Sequence, residues 1–509
     1  MPRYAAIDVG SNSVRMQAAD VTAGKTTVLA AERQVTRLGA GVFLNGRITR
    51  EATQTVCENL ARMAQVYKEL DVIGVRAVAT AAVRDASNQL EFLEAAALAL
   101  GSPLEVISGQ EEARLIHLGV QTRWPHRDKR ILIVDVGGGS AEVILSENGT
   151  LASAFSKPLG AVRLTEVFLK DDPPDPRELH RMNEYIDEKL AQPLARIGSG
   201  SFDRVIATSA SAAAIVCAVN RVARPQREDA DRLRVSAAQL RSFYHQVSSE
   251  NLAGRKKVQG IGPRRAEIIV AGVAVFARVL DLFAHSSLHY SCAGVRDGLI
   301  ADLAARGVGR ELSMLNREQR RIVEQMTRRY SVPIKHARKV AEHARRLFEA
   351  LHPLHKLPPS FGKLLEAAAY LHDIGHFVSD TSHHKHSSYL VAHSDLPGFT
   401  DAERLLVATL CRYHRKSMPN TRHTGFQTFD ADARRAILLL TPLLRLADSL
   451  DRSNEQRVDS IDVDSRNGGV SVSVVSKTEP DLELWAAERT ADAFREAYQL
   501  PLSVTRGKT

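Results

Sequence analysis

The sequence is poor in cysteine. Its four cysteines, at positions 57, 217, 292 and 411, are far apart in a chain of 509 residues and form no CxxC pair. This spacing excludes a disulfide framework and a zinc ribbon, and it is typical of proteins in a reducing compartment. We therefore expect a cytoplasmic protein.

Long hydrophobic runs are also lacking. The apolar stretch at 268–277 ends at the charged Arg278, well before the roughly 18 residues that indicate a membrane span. The first residues lead directly into a predicted strand that carries Asp8, without the apolar core of a secretion signal. We expect no membrane-spanning segment and no membrane partner.

Positive charge is in excess. The formal net charge is +9 and the sequence pI is about 9.4. This balance favours an anionic partner, which could be polyphosphate, a nucleotide, a nucleic acid or an acidic membrane surface. Charge alone does not choose among them.

The hydrophobic pattern changes near residue 305. Before it, short apolar segments such as 130–135 alternate with amphipathic segments, which predicts an α/β architecture with buried strands. After Gly307 and Gly309 the pattern is that of long helices. Alternating apolar residues from Val458 to Val474 then predict strands, and a final helix is expected around 482–498.

A short motif occurs twice. Residues 7–11 read IDVGS, and residues 134–140 read VDVGGGS. The repetition predicts two similarly built halves.

Each copy of the motif has the composition of a phosphate site. An apolar strand ends in Asp and passes into a Gly/Ser turn, where backbone N–H groups can converge on phosphate oxygens. A single turn of this kind is more often an ordinary hairpin or strand-to-helix turn, but two matched copies favour phosphate binding. Neither turn contains the Walker lysine. The predicted phosphate ligands of the two turns are Gly10, Ser11, Asn12, Ser13, Arg15, Gly137, Gly138, Gly139 and Ser140.

The two aspartates beside these turns are candidate metal ligands. Asp8 and Asp135 would lie close to the bound phosphate. Such carboxylates hold Mg²⁺, or Mn²⁺, directly or through water, and the ion offsets phosphate charge.

The motifs resemble those of the Ppx/GppA phosphatases. The resemblance lies in segments 7–15 (IDVGSNSVR) and 134–140, and it continues through TAAVRD at 80–85, ISGQEEA at 107–113, LGAVRL at 159–164 and GVRDGL at 294–299. It implies two actin-like (ribonuclease H-like) lobes with the active cleft between them, and a homodimer. The predicted domains are lobe I at 1–125, lobe II at 126–305, a helical HD-like domain at 310–455 and a small C-terminal α+β module at 456–509.

The resemblance also implies a catalytic glutamate. It assigns this position to Glu111, and a carboxylate within hydrogen-bond reach can accept a proton from the attacking water. Its neighbour Glu112 has the same chemistry, and only the surrounding motif selects Glu111. Arg84 matches an arginine that binds phosphate through its planar fork, although an isolated arginine is more commonly part of an exposed ion pair.

The expected reaction is the hydrolysis of a terminal phosphoanhydride bond. Segment 207–212 contains no glycine, which disfavours close packing against a purine and modestly supports polyphosphate over ATP. We therefore expect an exopolyphosphatase that releases orthophosphate and requires no nucleic acid. Hydrolysis of pppGpp to ppGpp remains an alternative, and so does a non-enzymatic sensor of nucleotide or polyphosphate.

A second candidate metal site lies in the C-terminal part. His336, His372, Asp373 and Asp448 follow the ligand order of an HD-type site, and their mixed N/O chemistry suits Mn²⁺, Fe, Zn²⁺ or Mg²⁺. Further histidines could enlarge this site or make it binuclear; they are His383, His384, His386 and His414. Alternatively, these side chains cap helices, contact polyanion or pack in the core. A metal-dependent phosphohydrolase or phosphodiesterase acting at this site is a fourth possible function.

Overall fold

The computed structural model describes residues 2–22, 25–200, 202–306, 314–465 and 468–507. The chain forms two compact units, Met1–Val308 and Gly309–Thr509.

The first unit is α/β. Its strands are β1 (Arg3–Val9), β2 (Val14–Thr22), β3 (Lys25–Gln34), β4 (Gly74–Ala79), β5 (Leu104–Val106), β6 (Arg130–Val136), β7 (Ala141–Glu147), β8 (Thr150–Lys157), β9 (Arg204–Thr208), β10 (Arg234–Ser236) and β11 (Ser287–Tyr290). Its helices are α1 (Val42–Asn45), α2 (Arg50–Glu69), α3 (Ala81–Asp85), α4 (Gln89–Leu100), α5 (Gly109–Arg123), α6 (Ala161–Phe168), α7 (Pro176–Ile197), α8 (Ser209–Val219), α9 (Ala237–Ser249), α10 (Leu252–Arg255), α11 (Ile269–Leu282) and α12 (Val295–Arg306), with a 3-10 helix at Arg224–Ala230.

These strands form two sheets of matching topology. The first has the order β3-β2-β1-β4-β5, and the second has the order β8-β7-β6-β9-β11-β10. In each sheet an antiparallel hairpin opens the lobe and the central strand then pairs in parallel with a later one, β1 with β4 and β6 with β9. The two similarly built halves predicted from the repeated motif are present.

The two lobes exchange helices. Helix α5 follows the last strand of the first sheet, but Ala113, Ile116 and Val120 of this helix pack on the second sheet. Helix α12 follows the second sheet, and its residues Leu299 and Ile300 complete a core on the first sheet. Packing therefore does not follow the sequential boundary that we predicted at residue 125.

The second unit combines helices with a small sheet. Its helices are α13 (Arg317–Arg329), α14 (Ile334–Ala350), α15 (His352–His355), α16 (Ser360–Leu371), α17 (His383–Ala392), α18 (Asp401–Tyr413), α19 (Thr424–Gln427), α20 (Ala431–Ser449), α21 (Asp481–Glu488) and α22 (Ala491–Tyr498), with a 3-10 helix at Ile374–Phe377. Its strands are β12 (Ser460–Asp464), β13 (Val470–Val475) and β14 (Leu502–Arg506), in the sheet order β12-β13-β14.

One hydrophobic core joins these two parts of the second unit. Leu443 and Ala447 of α20 belong to the same buried cluster as Val472 of β13 and Phe494 of α22. The small module predicted at 456–509 thus shares its core with the helices. Within the described ranges, no helix combines the length and the apolar character that a bilayer crossing requires.

Candidate active site

The repeated motif builds the same hairpin turn in both lobes. In the first turn, the backbone N–H of Gly10 donates to the carbonyl of Ser13 over 3.1 Å, and in the second that of Gly137 donates to Ser140 over 3.0 Å. Asp8 lies at the carboxyl end of β1 and Asp135 at that of β6. Each turn closes a hairpin. Because the two hairpins occupy matching positions in their sheets, each turn and its aspartate lie at the carboxyl end of the central strand of a sheet.

The two turns face each other. A Cβ atom added to Gly138 would lie 2.9 Å from the Cβ of Ser11, and one added to Gly139 would lie 2.8 Å from its Oγ. Gly160 allows this approach from behind, since a Cβ there would come within 2.3 Å of the Gly138 backbone. All nine predicted ligands of the two turns line one pocket together with both aspartates: they are Gly10, Ser11, Asn12, Ser13, Arg15, Gly137, Gly138, Gly139 and Ser140, with Asp8 and Asp135.

Buried carboxyl groups cluster at this pocket. Burial raises the pKa of Asp8, although Arg15 opposes the shift, and it raises that of Asp135 to about 7. Burial also raises the pKa of Glu112 well above its usual range, with a further contribution from Glu142. Glu142 itself has a pKa of about 7, because it is buried beside Asp135. Several of these groups cannot ionise together without a compensating cation.

This donor set fits a hard divalent cation. The Oε2 atoms of Glu112 and Glu142 are buried and make no hydrogen bond, and carboxylate oxygens are the ligands that Mg²⁺ and Mn²⁺ accept. Among the described residues of this pocket, no three carboxylates come close enough together to form a complete cage. Mg²⁺ typically binds to one or two carboxylates and completes its shell with water and substrate phosphate, which Asp8 and Asp135 would permit.

Arginines line the same pocket. Burial, with the nearby charges of Arg15 and Arg227, lowers the pKa of Arg265 to about 10. Burial and Arg15 also lower the pKa of Arg296. Burial, and after it the positive charge of neighbouring arginines, disfavours these cations, so a bound anion would stabilise them. The motifs did not single out Arg227 or Arg265, and Arg296 appeared only within the segment 294–299.

Glu111 does not lie in this pocket, which corrects the expectation from the sequence. It is 4% exposed, and its carboxylate accepts hydrogen bonds from Arg114 Nε over 2.7 Å and from Arg76 Nη2 over 3.1 Å. The same arginines donate to Asp302. Burial opposes ionisation of Glu111, but Arg114 and Arg76 hold its pKa below the usual value. Its carboxylate is therefore part of a buried ionic cluster.

The neighbouring Glu112 lines the pocket instead. Ser108 caps α5 by accepting the N–H of Glu111 over 3.2 Å, so both glutamates lie in the first turn of the helix. Successive helical residues point about 100° apart, and only Glu112 is directed toward the phosphate turns. A signal was present in the sequence: Arg114 follows Glu111 at i+3, the spacing of a helical ion pair, whereas apolar Leu115 occupies that spacing from Glu112.

Arg84 lies beside Glu112. Its Nη1 donates to the carbonyl of Ile107 over 2.7 Å and is 3.7 Å from Glu112 Oε2. It is not among the described residues that line the pocket. Its contact with phosphate stays a prediction, and its position suits a residue that orients Glu112.

The four predicted metal ligands of the second unit come together. His336, His372, Asp373 and Asp448 offer ligand atoms that all lie within 4.8 Å of one another. The two histidines are buried. The likeness of this unit to an HD domain stays a prediction.

Comparisons with known proteins agree with the geometry of the first unit. The sequence profile of the Ppx/GppA phosphatase family matches residues 18–306, and that of Ppx/GppA phosphatase domain III matches residues 319–479. A guanosine-5'-triphosphate,3'-diphosphate pyrophosphatase from Vibrio vulnificus is 27% identical over 97% of this chain and 96% of its own length.

Solved structures give the same result. The crystal structure of a Ppx/GppA family member from Aquifex aeolicus is 28% identical, with a TM-score of 0.53, and covers 60% of this chain and 98% of its own. The crystal structure of an exopolyphosphatase from Cytophaga hutchinsonii is 26% identical, with a TM-score of 0.55, and covers 58% of this chain and 96% of its own. The actin-like α/β fold is thereby confirmed. The chain belongs to the Ppx/GppA phosphatase family and is a divalent-metal-dependent phosphoanhydride hydrolase.

Proposed function

We propose that this enzyme releases orthophosphate from the end of inorganic polyphosphate, with Glu112 as the residue that orients and deprotonates water. The observation that carries the proposal is the convergence on one pocket of facing phosphate turns, arginines and a buried Glu112 carboxylate oxygen that makes no hydrogen bond. A phosphate chain end combines high charge with oxygens on all sides, so it suits a pocket built this way.

The reaction is a hydrolysis. The oxygen of a water molecule attacks the terminal phosphorus, and the bond from that phosphorus to the bridging oxygen breaks. Glu112 accepts a proton from the water, and the shortened chain takes up a proton at its new terminal oxygen or leaves as the anion. A base with a raised pKa accepts a proton more readily once it is ionised, and burial raises the pKa of Glu112.

The remaining groups bind and orient the substrate. N–H groups and hydroxyls of the two turns would hold the terminal phosphate, and Arg15, Arg265 and Arg296 would offset its charge. Mg²⁺ bound by Asp8 and Asp135 would supply further positive charge to the phosphate oxygens.

The cytoplasmic location and the homodimer implied by the resemblance stay predictions.

A second candidate substrate is pppGpp. A neighbouring cleft of about 380 Å³ shares Asn12, Arg227 and Arg265 with the phosphate pocket, and its walls include apolar residues such as Ala213 and Cys217. A nucleoside could occupy this cleft while its 5'-phosphates reach the turns. The absence of glycine in segment 207–212 does not close the space. The Vibrio vulnificus relative is named for this substrate.

A substrate panel tests both candidates. The purified full chain is supplied with Mg²⁺ and, separately, with long polyphosphate, short polyphosphate, pppGpp or ATP, and phosphate release is measured. We expect the highest kcat/KM for polyphosphate. A clearly higher kcat/KM for pppGpp would replace the first candidate by the second.

Variants test the site itself. We expect Glu112→Gln to lower kcat by about 10²- to 10⁴-fold, the usual contribution of a general base. Glu111→Gln is the matched control on the adjacent position. If Glu112→Gln retains the wild-type rate while His372→Ala abolishes it, the chemistry belongs to the second unit and the proposal is wrong.

A further inference from the structure

Asp373 in the second unit presents its two carboxylate oxygens to two different sets of ligands. The first set surrounds Oδ2, which is 3.8 Å from His336 Nε2 and 3.6 Å from His372 Nε2. Asp448 Oδ1 completes this set at 3.3 Å from His372 Nε2 and 3.8 Å from His336 Nε2. Ligands on a metal with bonds of about 2.0–2.2 Å lie roughly 3.0–3.6 Å apart, so a small inward movement would close this set on an ion.

The second set surrounds the other oxygen. Asp373 Oδ1 is 3.4 Å from His383 Nε2, 3.6 Å from His414 Nε2 and 3.6 Å from His376 Nε2. His383 and His414 bring their Nε2 atoms within 3.2 Å of each other. Only His376 of this set is substantially exposed, with 40% of its side chain accessible, and it offers an entry path for an ion.

The outer ring nitrogens fix the proton positions. Nδ1 of His372 lies 2.9 Å from the Ala369 carbonyl, and Nδ1 of His414 lies 2.8 Å from the Cys411 carbonyl. A carbonyl oxygen only accepts, so each Nδ1 must carry the proton and each neutral ring must present a lone pair at Nε2. The same arrangement holds at His383, whose Nδ1 faces the carbonyl of Asp380 over 3.3 Å.

His336 follows the same rule with a carboxylate as acceptor. Its Nδ1 donates to Asp451 Oδ2 over 2.9 Å, and its Nε2 is buried without a hydrogen-bond partner. His336 is only 3% exposed. Histidines that bind metal typically donate the other ring N–H to a carbonyl or carboxylate in this way, because the bond fixes the tautomer and the ring orientation.

The Nε2 lone pairs of the neutral rings therefore converge on the two oxygens of Asp373, and Asp448 Oδ1 lies 3.3 Å from His372 Nε2. Two imidazoles that both carry their proton at Nδ1 cannot hydrogen-bond through their Nε2 atoms, which lie 3.2 Å apart in His383 and His414, and burial of an unpartnered polar atom is unfavourable. A cation between the ligands removes both problems.

We propose that the second unit holds a binuclear centre for two divalent first-row transition-metal ions, bridged by the carboxylate of Asp373. One ion binds His336, His372 and Asp448, and the other binds His376, His383 and His414. Imidazole-rich sets favour Mn²⁺, Fe²⁺, Co²⁺ or Zn²⁺ over Mg²⁺. This preference distinguishes the centre from the all-oxygen site of the first unit.

Metal binding by the full-length protein tests the proposal. Chelator-treated protein is incubated with Mn²⁺ in excess Mg²⁺, which occupies the all-oxygen site, and bound manganese is measured by mass spectrometry after desalting. We expect two equivalents in the wild type and a broadened, exchange-coupled electron paramagnetic resonance signal. His336→Ala and His414→Ala should each retain at most one equivalent with an uncoupled signal, and Asp373→Ala should retain none at this centre.

A control and a folding check accompany the variants. His386→Ala changes a histidine of α17 that belongs to neither set, and it should keep both equivalents. Far-UV circular dichroism identifies any variant that fails to fold. If Asp373→Ala fails to fold, the manganese content of His336→Ala and His414→Ala tests the proposal. Wild-type protein that binds no manganese would overturn the proposal, because protons would then separate the imidazoles. Retention of two equivalents by folded His336→Ala or His414→Ala would also overturn it. Hydrolysis is not measured, so this outcome is independent of the proposed function.

Discussion

Adjacent glutamates on α5 are expected to respond in opposite ways to the same substitution. Glu111→Gln removes a charge from a buried ionic cluster, whereas Glu112→Gln removes one from the phosphate pocket. The first change should affect stability and the second catalysis. Their comparison tests the assignment of the general base.

The cost of Glu111→Gln follows from the cluster around it. Three arginines face three acidic groups there: they are Arg76, Arg114 and Arg306, and Glu105, Glu111 and Asp302. Glutamine leaves one positive charge in excess, and removal of one partner of a buried ion pair typically costs about 3–5 kcal/mol. We expect the free energy of unfolding of the first unit to fall by that order.

Glu112→Gln should leave stability unchanged or raise it. Burial and the negative charge of Glu142 raise the pKa of Glu112, so the neutral side chain relieves repulsion. Hydrolysis should still fall by about 10²- to 10⁴-fold, since glutamine cannot accept a proton from water.

Trp124, directly after α5, provides the readout of unfolding. The only other tryptophan is Trp485, and a Trp485→Phe background leaves Trp124 as the reporter of the first unit during urea unfolding. Phosphate release is measured on the same samples at a temperature where both variants are folded. The reasoning fails if Glu111→Gln loses hydrolysis with an unchanged unfolding midpoint while Glu112→Gln keeps the wild-type rate.

Three further predictions concern the same pocket. Burial raises the pKa of Asp135 and Glu142 to about 7, so the folded chain binds protons that the unfolded chain has released. Metal-free protein should therefore lose stability as the pH rises from about 5 to 8, and Glu142→Gln should flatten that dependence in urea unfolding. Gly160→Ala should lower kcat and cost about 1–3 kcal/mol of stability by displacing the second phosphate turn, whereas Gly425→Ala, with open space around it, should change neither. Arg265→Ala should raise KM about 10- to 100-fold in steady-state assays, the equivalent of one charged hydrogen bond of roughly 1.5–3 kcal/mol, and an unchanged KM would remove Arg265 from the phosphate site.

The sequence indicated the features that depend on neighbouring residues. A strand followed by a Gly/Ser turn forms a hairpin through local bonds, so the two phosphate turns and their aspartates, Asp8 and Asp135, were predictable. The alternation of strands and helices similarly indicated the α/β fold. The exchange of α5 and α12 between the lobes was not predictable, because it depends on packing between segments far apart in the chain.

Some site residues could not be recognised without the tertiary structure. Arg227 and Arg265 belong to no motif, and they reach the pocket only because the 3-10 helix and the segment before α11 pack beside the turns. In the second unit, the sequence identified four ligands of one possible ion. Which histidines lie near Oδ1 of Asp373 and which lie near Oδ2 depends on how several helices pack, so the sequence could not show it.

The residue pattern indicated the α/β class and the duplicated Gly/Ser turns, since these depend on residue type and local spacing, and the family resemblance directed attention to the glutamates at 111 and 112. Tertiary packing was needed to distinguish Glu112, which lines the pocket, from Glu111, which does not. The two side chains share chemistry and helix turn, and they differ only in direction. The packing of α5 directs Glu111 toward Arg76 and Arg114, and it directs Glu112 toward the two Gly/Ser turns.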